Sequence, residues 1–301
     1  MNAGRLLTSR LTLGLLVLVL VGGVLLLARG GTEALTTHLP GGGHLPGSSH
    51  LPGSGGSASL RRGGTPPLVF LDPGHGGVDT GAVGTASDGT PVDEKTIALA
   101  IAQRTAAKLR AAGYRVVLSR DDDTLPGLTP DDLTSDGQRL TAQGVLDDLQ
   151  RRIDRANASG ADLLLSIHLN ALDDPSVRGA ETYYDSARPF AADSLRFAQL
   201  VQDDLIAALR AKGYATPDRG VLDDTTLQAD GVGPLGGSYN HLVMLGPAIP
   251  GKLRPSQMPG ALNESLFLSN PDEASAATQP AMQDLIAGAF AKAVEDYFAG
   301  K

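Results

Sequence analysis

The chain has 301 residues, and its 42% of hydrophobic residues suffices to bury a sizeable core. Cysteine is absent, which excludes thiolate metal ligands, a cysteine nucleophile and disulfide bonds and leaves histidine and carboxylate as metal ligands. The net charge is −8, and residues 65–301 alone carry −12, because residues 1–64 hold five Arg and one Glu; this sign argues against nucleic acid as a partner.

The first predicted element is an uncharged apolar segment, residues 11–28. Its 18 residues reach the ~17–25 that span a bilayer. A cleaved signal peptide is the alternative, although its apolar region is typically ~7–15 residues long. Arg5 and Arg10 precede the segment, so we expect the chain beyond Arg29 to lie outside the cytoplasm. We predict an N-terminal membrane anchor over residues 1–29.

Residues 30–66 are predicted to be a flexible linker, because glycine, proline and serine dominate them. The sequence HLPG occurs three times at a period of six, beginning at His38, His44 and His50. Regularly spaced histidines can bind metal weakly, but we interpret the repeat as a duplicated spacer without a ligand.

From Pro67 onward, predicted strands and helices alternate. The predicted strands are Leu68–Leu71, Tyr114–Ser119, Asp162–His168, Gly179–Tyr184, His241–Leu245 and Gly260–Phe267. The predicted helices are 94–112, Leu146–Ala158, Pro189–Lys212 and Asp272–Phe298, the first capped by Asp93 and ended by Gly113. This order predicts an α/β fold: a single domain, residues 67–301, whose mostly parallel sheet is flanked by helices. Between the elements, residues 121–148 hold eight Asp and form a long acidic loop.

The loop after the first strand reads LDPGHGGVDTGAVG, residues 71–84, with one histidine among five glycines. Two interpretations fit such a loop. Glycine-rich turns after strands often present backbone N–H groups to phosphate. Alternatively, the loop leaves space around a metal ligand, His75.

Four residues are expected to meet at one edge of the sheet, because ligands gather at the carboxyl ends of parallel strands. They are His75, Glu94, His168 and Glu264. Two imidazoles and one carboxylate, with a fourth position left to water, are typical of a catalytic zinc site, and a second carboxylate can move the proton. Each residue alone also has a structural interpretation, and Asp93 competes with Glu94. We interpret His241 as structural.

The motifs of the folded part resemble those of the zinc-dependent N-acetylmuramoyl-L-alanine amidases. The resemblance rests, in this order, on LDPGHGGVDTGAVG, DEKTIALAIA, RANASGADLLLSIHLNA and LNESLFLSNPDEA. These bacterial enzymes cut the amide between the lactyl group of muramic acid and the first alanine of the peptidoglycan stem peptide. The resemblance covers about residues 67–298. It implies peptidoglycan as the partner and a place at the outer face of the cytoplasmic membrane, or secretion if the N-terminal segment is cleaved.

The resemblance also implies roles for individual residues. It assigns one Zn²⁺ per chain to His75, Glu94 and His168, and the role of general base and then general acid to Glu264. Further residues are expected to orient a ligand or contact substrate: Ser166, Asn170 and Arg254. The phosphate interpretation fails in this context, because no Lys-Ser/Thr pair directly follows the last glycine of the loop and the next helix begins with two acidic residues.

Two departures from the family pattern stand out. The usual glycine after the catalytic glutamate is Ser265, and residues 221–257 are longer than the family commonly shows. That segment and the acidic loop can each line or cover a substrate groove. The alternatives to the amidase are a related zinc peptidase or carboxypeptidase acting on wall peptides, and a wall-binding regulator without activity. The sequence identifies no activator protein.

Overall fold

The computed structural model describes residues 64–227, 235 and 239–301. The predicted membrane anchor and the HLPG repeats, with His38, His44 and His50, lie outside these residues. Within the described part, no helix combines the length and apolar character that crossing a membrane requires.

A six-stranded sheet forms the centre of the domain, with the strand order β4–β1–β5–β8–β6–β7. Its strands are β1 Leu68–Pro73, β4 Arg115–Leu118, β5 Leu163–Asn170, β6 Ala180–Tyr184, β7 Asp218–Asp223 and β8 Gly260–Phe267, and a separate antiparallel pair is formed by β2 Val83–Thr85 and β3 Pro91–Asp93. All neighbours in the large sheet are parallel except β6 and β8. The predicted mostly parallel sheet is therefore confirmed, and β6 and β7 run opposite to the other four strands.

Helices cover one face of the sheet, and a helix and an irregular segment cover the other. The helices are α1 Glu94–Ala111, α2 Ala142–Ser159, α3 Ala191–Ala211, α4 Pro271–Ala277 and α5 Pro280–Phe298. Alternate residues of β1 point to opposite faces: Val69 and Leu71 join the core under α1, α3 and α5, whereas Leu68 and Phe70 join the core under α2 and residues 242–258. Burial on both faces explains the continuous apolar strands.

Two predicted element boundaries agree closely with the structure, and one element is divided. The Asp93 side chain accepts a hydrogen bond from the Thr96 N–H and caps α1, and Gly113 follows that helix with φ +91°. The single C-terminal helix predicted over 272–298 is wrong. The structure has two helices, because Pro280 lacks an N–H and disfavours helical geometry in the residue before it.

The strand predicted at His241–Leu245 is also wrong. This stretch forms a turn in which the Leu245 N–H donates to the Leu242 carbonyl, and its apolar side chains pack against the sheet face rather than joining the sheet. Strand β7 was not predicted from the sequence, because its residues, DRGVLD, are only partly apolar. The β2–β3 hairpin was missed as well.

The predicted acidic loop is shorter than 121–148, because α2 begins at Ala142 with Thr141 as its cap. The remaining stretch is held by its own hydrogen bonds. Asp132 is buried and accepts bonds from the Thr129 N–H, at 2.7 Å, and from Arg151, at 3.1 Å. The negative charge of Asp132 therefore serves local structure.

Candidate metal centre

His75 lies in the loop that follows β1. Its φ is +60°, and it is the one residue besides glycines with positive φ in the described part of the chain. Two buried arginines fix the backbone of this loop. Arg120 donates to the carbonyls of Pro73 and Gly74, and Arg152 donates to those of Pro73 and His75 at 2.8 and 2.6 Å. The strained conformation is thus held by the surrounding structure and turns the imidazole toward α1.

Glu94 is the first residue of α1 and lies between two imidazoles. Its Oε2 is 3.0 Å from Nε2 of His75, and its Oε1 is 2.8 Å from Nδ1 of His168. Each oxygen also accepts a backbone hydrogen bond, from Ala82 or from Leu169. Burial alone would raise the pKa of Glu94, but the imidazoles and their hydrogen bonds lower it well below its usual range. Glu94 is therefore ionised at neutral pH and faces both imidazoles, whereas the Asp93 side chain caps α1.

The hydrogen-bond partners of the two histidines determine which ring nitrogens face Glu94. Nδ1 of His75 donates to Asp79 at 2.8 Å, which orients the ring. The Ser166 hydroxyl donates to Asp72 at 2.7 Å and can only accept from Nε2 of His168, at 3.2 Å. The remaining ring nitrogens, Nε2 of His75 and Nδ1 of His168, face the two oxygens of Glu94.

Two glycines leave no room for side chains beside these groups. A Cβ on Gly74 would lie 2.2 Å from Cε1 of His168. A Cβ on Gly81 would lie 2.5 Å from Oε2 of Glu94 and 2.5 Å from Cδ2 of His75. The glycines of the first motif thus allow backbone to approach the three polar side chains directly.

The three side chains fit a metal ion. One ligand atom of each residue, His75, Glu94 and His168, lies within 4.8 Å of the others. Burial lowers the pKa of His75, but Glu94 and Asp79 outweigh it and raise that pKa well above its ordinary value. The centre therefore stabilises positive charge. Two nitrogen donors and one carboxylate are a ligand set typical of zinc.

Glu264 lies beside this centre, on β8. It is directly opposite His168 on the parallel strand β5 and opposite Glu181 on the antiparallel strand β6. Its side chain is buried, and its Oε2 has no hydrogen-bond partner. Burial, with the charges of Glu94 and Glu181, raises the pKa of Glu264 well above its ordinary value. A buried carboxyl group with a free oxygen next to a candidate metal centre is suited to proton transfer.

The structure distributes the other three predicted site residues differently. The Ser166 hydroxyl accepts a hydrogen bond from Nε2 of His168. Asn170 donates to Glu181 at 2.8 Å and is buried. Arg254 lies on the surface, 68% exposed, and pairs with Asp154 of α2. Only the first contacts a residue of the metal centre directly.

Several residues that support the centre were not predicted from the sequence: Asp72, Asp79, Arg120, Arg152 and Glu181. Asp79 stands in the first motif, four residues after His75, so its spacing offered a signal. The sequence gives no such signal for Arg152, because a charged residue in a helix is usually solvated.

The comparison with protein families decides the identity. The model of the N-acetylmuramoyl-L-alanine amidase family matches residues 69–296. The chain belongs to this family. The amidase is 32% identical over 234 residues to the germination-specific N-acetylmuramoyl-L-alanine amidase of Bacillus subtilis. The aligned residues make up 78% of this chain and 81% of that relative. It is 33% identical over 230 residues to LytC of the same organism, but spans only 35% of that longer protein.

Solved structures show the same fold. The CwlD amidase of Clostridioides difficile, solved in complex with the GerS lipoprotein, superimposes with a TM-score of 0.58 at 26% identity, over 78% of the amidase and 100% of CwlD. An N-acetylmuramoyl-L-alanine amidase from Clostridium difficile 630 gives a TM-score of 0.56 at 28% identity, over 79% and 99% of the two chains. The predicted family and its reaction class, amide hydrolysis in peptidoglycan, are thereby confirmed. Because peptidoglycan lies outside the cytoplasm, the amidase belongs to the cell envelope.

Proposed function

We propose that the amidase hydrolyses the amide between N-acetylmuramic acid and L-alanine of the stem peptide with one zinc ion held by His75, Glu94 and His168. The observation that carries this proposal is the unpartnered oxygen of Glu264 beside three converging ligands. A buried carboxylate oxygen without a donor costs free energy, and a role in proton transfer accounts for that cost.

The residues divide the reaction between them. A zinc ion, when bound, polarises the scissile carbonyl and makes water more acidic. Glu264 takes the proton from the attacking water at its free Oε2 and delivers it to the leaving amide nitrogen, so that the C–N bond breaks and the alanine leaves with a free amine. Its raised pKa fits both halves of this role, since the group must hold a proton between the two steps.

Three further residues complete the proposed site. Ser166 orients the His168 ring through its link to Asp72. Asn170 contributes by fixing Glu181 opposite Glu264. Arg254 is proposed to contact the wall polymer from the surface, since its exposed guanidinium can meet the carboxylates of stem peptides.

The proposal includes the arrangement of the whole chain. Residues 1–29 anchor the protein in the cytoplasmic membrane, residues 30–66 act as a flexible linker, and residues 67–301 form the catalytic domain. The linker lets the domain reach peptidoglycan several nanometres from the bilayer, using ~5–6 Å × √n for a flexible chain. Membrane fractionation of cells tests this, with a chain lacking residues 1–30 expected in the soluble fraction.

The activity is tested by digestion of purified peptidoglycan. The expected products carry new amino termini on alanine and no new reducing sugar ends. Glu264→Gln is expected to abolish turnover and to retain zinc, whereas Glu295→Gln, an exposed residue of α5, keeps both. Release of single amino acids would instead identify a carboxypeptidase, and wall binding without turnover would identify a regulator.

A protein partner is a further part of the proposal, because the related CwlD was solved in complex with the GerS lipoprotein. We expect a membrane-associated protein to raise the turnover of the purified amidase on peptidoglycan. Comparing turnover with and without a solubilised envelope fraction tests this, and unchanged turnover would speak for an amidase active alone.

A further inference from the structure

A second group of two carboxylates and one imidazole lies at the edge of the sheet opposite the metal centre. Asp185 directly follows β6, Asp224 directly follows β7, and His241 belongs to the turn that replaces the predicted strand. Because β6 and β7 run opposite to β5 and β8, their carboxyl ends lie where those strands begin. This group therefore shares no residue with the amidase site.

The three side chains face one another closely. Nδ1 of His241 is 2.8 Å from Oδ2 of Asp185 and 3.7 Å from Oδ1 of Asp224. Each carboxylate uses its other oxygen on a backbone N–H: Asp185 accepts from Ala187 at 2.6 Å, and Asp224 accepts from Leu242 at 3.0 Å. Asp185 and Asp224 are buried, at 2% and 0% exposure. Oδ2 of Asp185, Oδ1 of Asp224 and Nδ1 of His241 thus face one another, and of the two oxygens only Oδ1 of Asp224 has no hydrogen-bond partner.

A hydrogen bond between His241 and Asp185 accounts for only part of this arrangement. Oδ1 of Asp224 is buried and has no hydrogen-bond partner. Arg188 is buried and interacts electrostatically with both carboxylates, but its guanidinium donates to the carbonyls of Leu245, Gly246 and Ser256. A fully buried carboxylate oxygen without a donor is unfavourable, and a cation or a proton in this space would relieve that cost.

We propose that Asp185, Asp224 and His241 bind a divalent metal ion, for which zinc is the expected occupant. Bonds of ~2.0–2.2 Å place two ligands of one ion up to ~4.4 Å apart, and the separations of 2.8 and 3.7 Å fall within this limit. The imidazole favours zinc over calcium and magnesium, which prefer all-oxygen shells rich in water. The ion satisfies the free oxygen of Asp224.

The ion would fasten the turn that contains His241, residues 241–245, to the ends of β6 and β7. Leu242 donates its N–H to Asp224, and the adjacent Met244 and Leu245 are buried in the core on the α2 face. Asp224 and Asp185 end two strands, so a metal bond to His241 ties three otherwise separate pieces of chain together. The site is structural, and it stands independently of the proposed reaction.

The competing arrangement is a proton shared between the carboxyl groups. Burial and the neighbouring Asp185 raise the pKa of Asp224 to about 8, so without a metal ion this group holds a proton at neutral pH. The two arrangements differ in what Asp224→Asn does. An amide replaces a protonated carboxyl without loss, whereas it removes a metal ligand.

The test is the zinc content of the full-length chain, purified in detergent without a histidine tag and dialysed against Zn²⁺. Every sample carries His38, His44 and His50 replaced by Ala, so that linker histidines bind no zinc. We expect two zinc ions per chain in this background and one in Glu94→Gln. We also expect one zinc ion in His241→Phe, which keeps an aromatic ring but has no ring nitrogen to bind metal. We expect no zinc in the variant that carries both Glu94→Gln and His241→Phe.

A second readout follows the Leu242 N–H, which is hydrogen-bonded to Asp224. Zinc is expected to slow hydrogen–deuterium exchange in the peptide that contains Leu242 at least tenfold, calcium is not, and Asp224→Asn abolishes the effect. Circular dichroism confirms that each variant is folded. A single zinc that Glu94→Gln removes, with exchange at Leu242 unaffected by zinc in the parent chain, would overturn the proposal in favour of the shared proton.

Discussion

Glu264 on β8 and Glu181 on β6 are directly opposite each other, and both are buried. Glu181 is well supplied with donors: Arg219 at 2.6 Å, Tyr183 at 2.8 Å and Asn170 at 2.8 Å. Glu264 has a free oxygen instead. The negative charge of Glu181 is therefore held in place, and it contributes to the raised pKa of Glu264.

We expect Glu181→Gln to move the acidic limb of kcat/KM to lower pH. The proposed general base must be ionised to act. Because removal of the Glu181 charge lowers the pKa of Glu264, the ionised form persists at lower pH. The measurement is a pH profile of the zinc-loaded enzyme on peptidoglycan, with Glu295→Gln as the surface control. A limb that stays in place or moves upward would contradict the assignment.

Asp79→Ala is expected to weaken zinc binding about 10- to 100-fold, because Asp79 holds the tautomer and orientation of His75. Competition with a chromophoric chelator at fixed pH measures the affinity. Asp88→Ala is the matched control: this aspartate lies in the turn between β2 and β3, outside the loop of His75, and its side chain accepts from Thr90. Equal zinc affinity in the two variants would remove Asp79 from the centre.

Much of the first metal centre is predictable from sequence because the carboxyl ends of parallel strands share an edge. That rule brings His75, from the loop after β1, next to His168 on β5, and the helix start places Glu94 between them. The position of Glu264 also follows, since β8 is parallel to β5.

The second group was not predictable from the same rule. Asp185 and Asp224 end strands that run in the opposite direction, and strand direction depends on how the connections cross the sheet. β7 itself escaped prediction. His241, in turn, stands in an apolar run, HLVML, which resembles a strand but packs as a turn on the sheet face. Local pattern does not distinguish these packings.

Gly74→Ala is expected to remove zinc from the amidase site. Its new Cβ would lie 2.2 Å from the His168 ring, which must turn away. Gly288→Ala is the control, because this glycine lies within α5 and a Cβ there meets nothing within 4 Å. That variant is expected to gain about 0.5–1 kcal/mol of stability from the better helix propensity. Zinc content and urea denaturation midpoints check both. Wild-type zinc affinity in Gly74→Ala would show that the ring position is not critical.

Replacing Arg152 tests directly whether this residue holds the backbone of the loop that contains His75. It is buried in α2 and donates to Asp72 at 2.9 Å, to Asp148 at 2.7 Å, and to the carbonyls of Pro73 and His75. Its neighbour Arg151 has the same i,i+4 relation to Asp147, so the sequence pattern alone does not indicate which pair is buried.

Arg152→Met is expected to lower the free energy of unfolding by about 3–5 kcal/mol, because it leaves two buried carboxylates without their cation. Urea denaturation measures this loss. The control is Arg254→Met, which removes an exposed pair with Asp154 and is expected to leave the denaturation midpoint unchanged. The same control tests the proposed wall contact of Arg254, since a rise in KM with unchanged stability indicates lost substrate binding. If Arg152→Met proved as stable as Arg254→Met, the buried charge network would not hold the loop of His75, and another cause for its strained backbone would be needed.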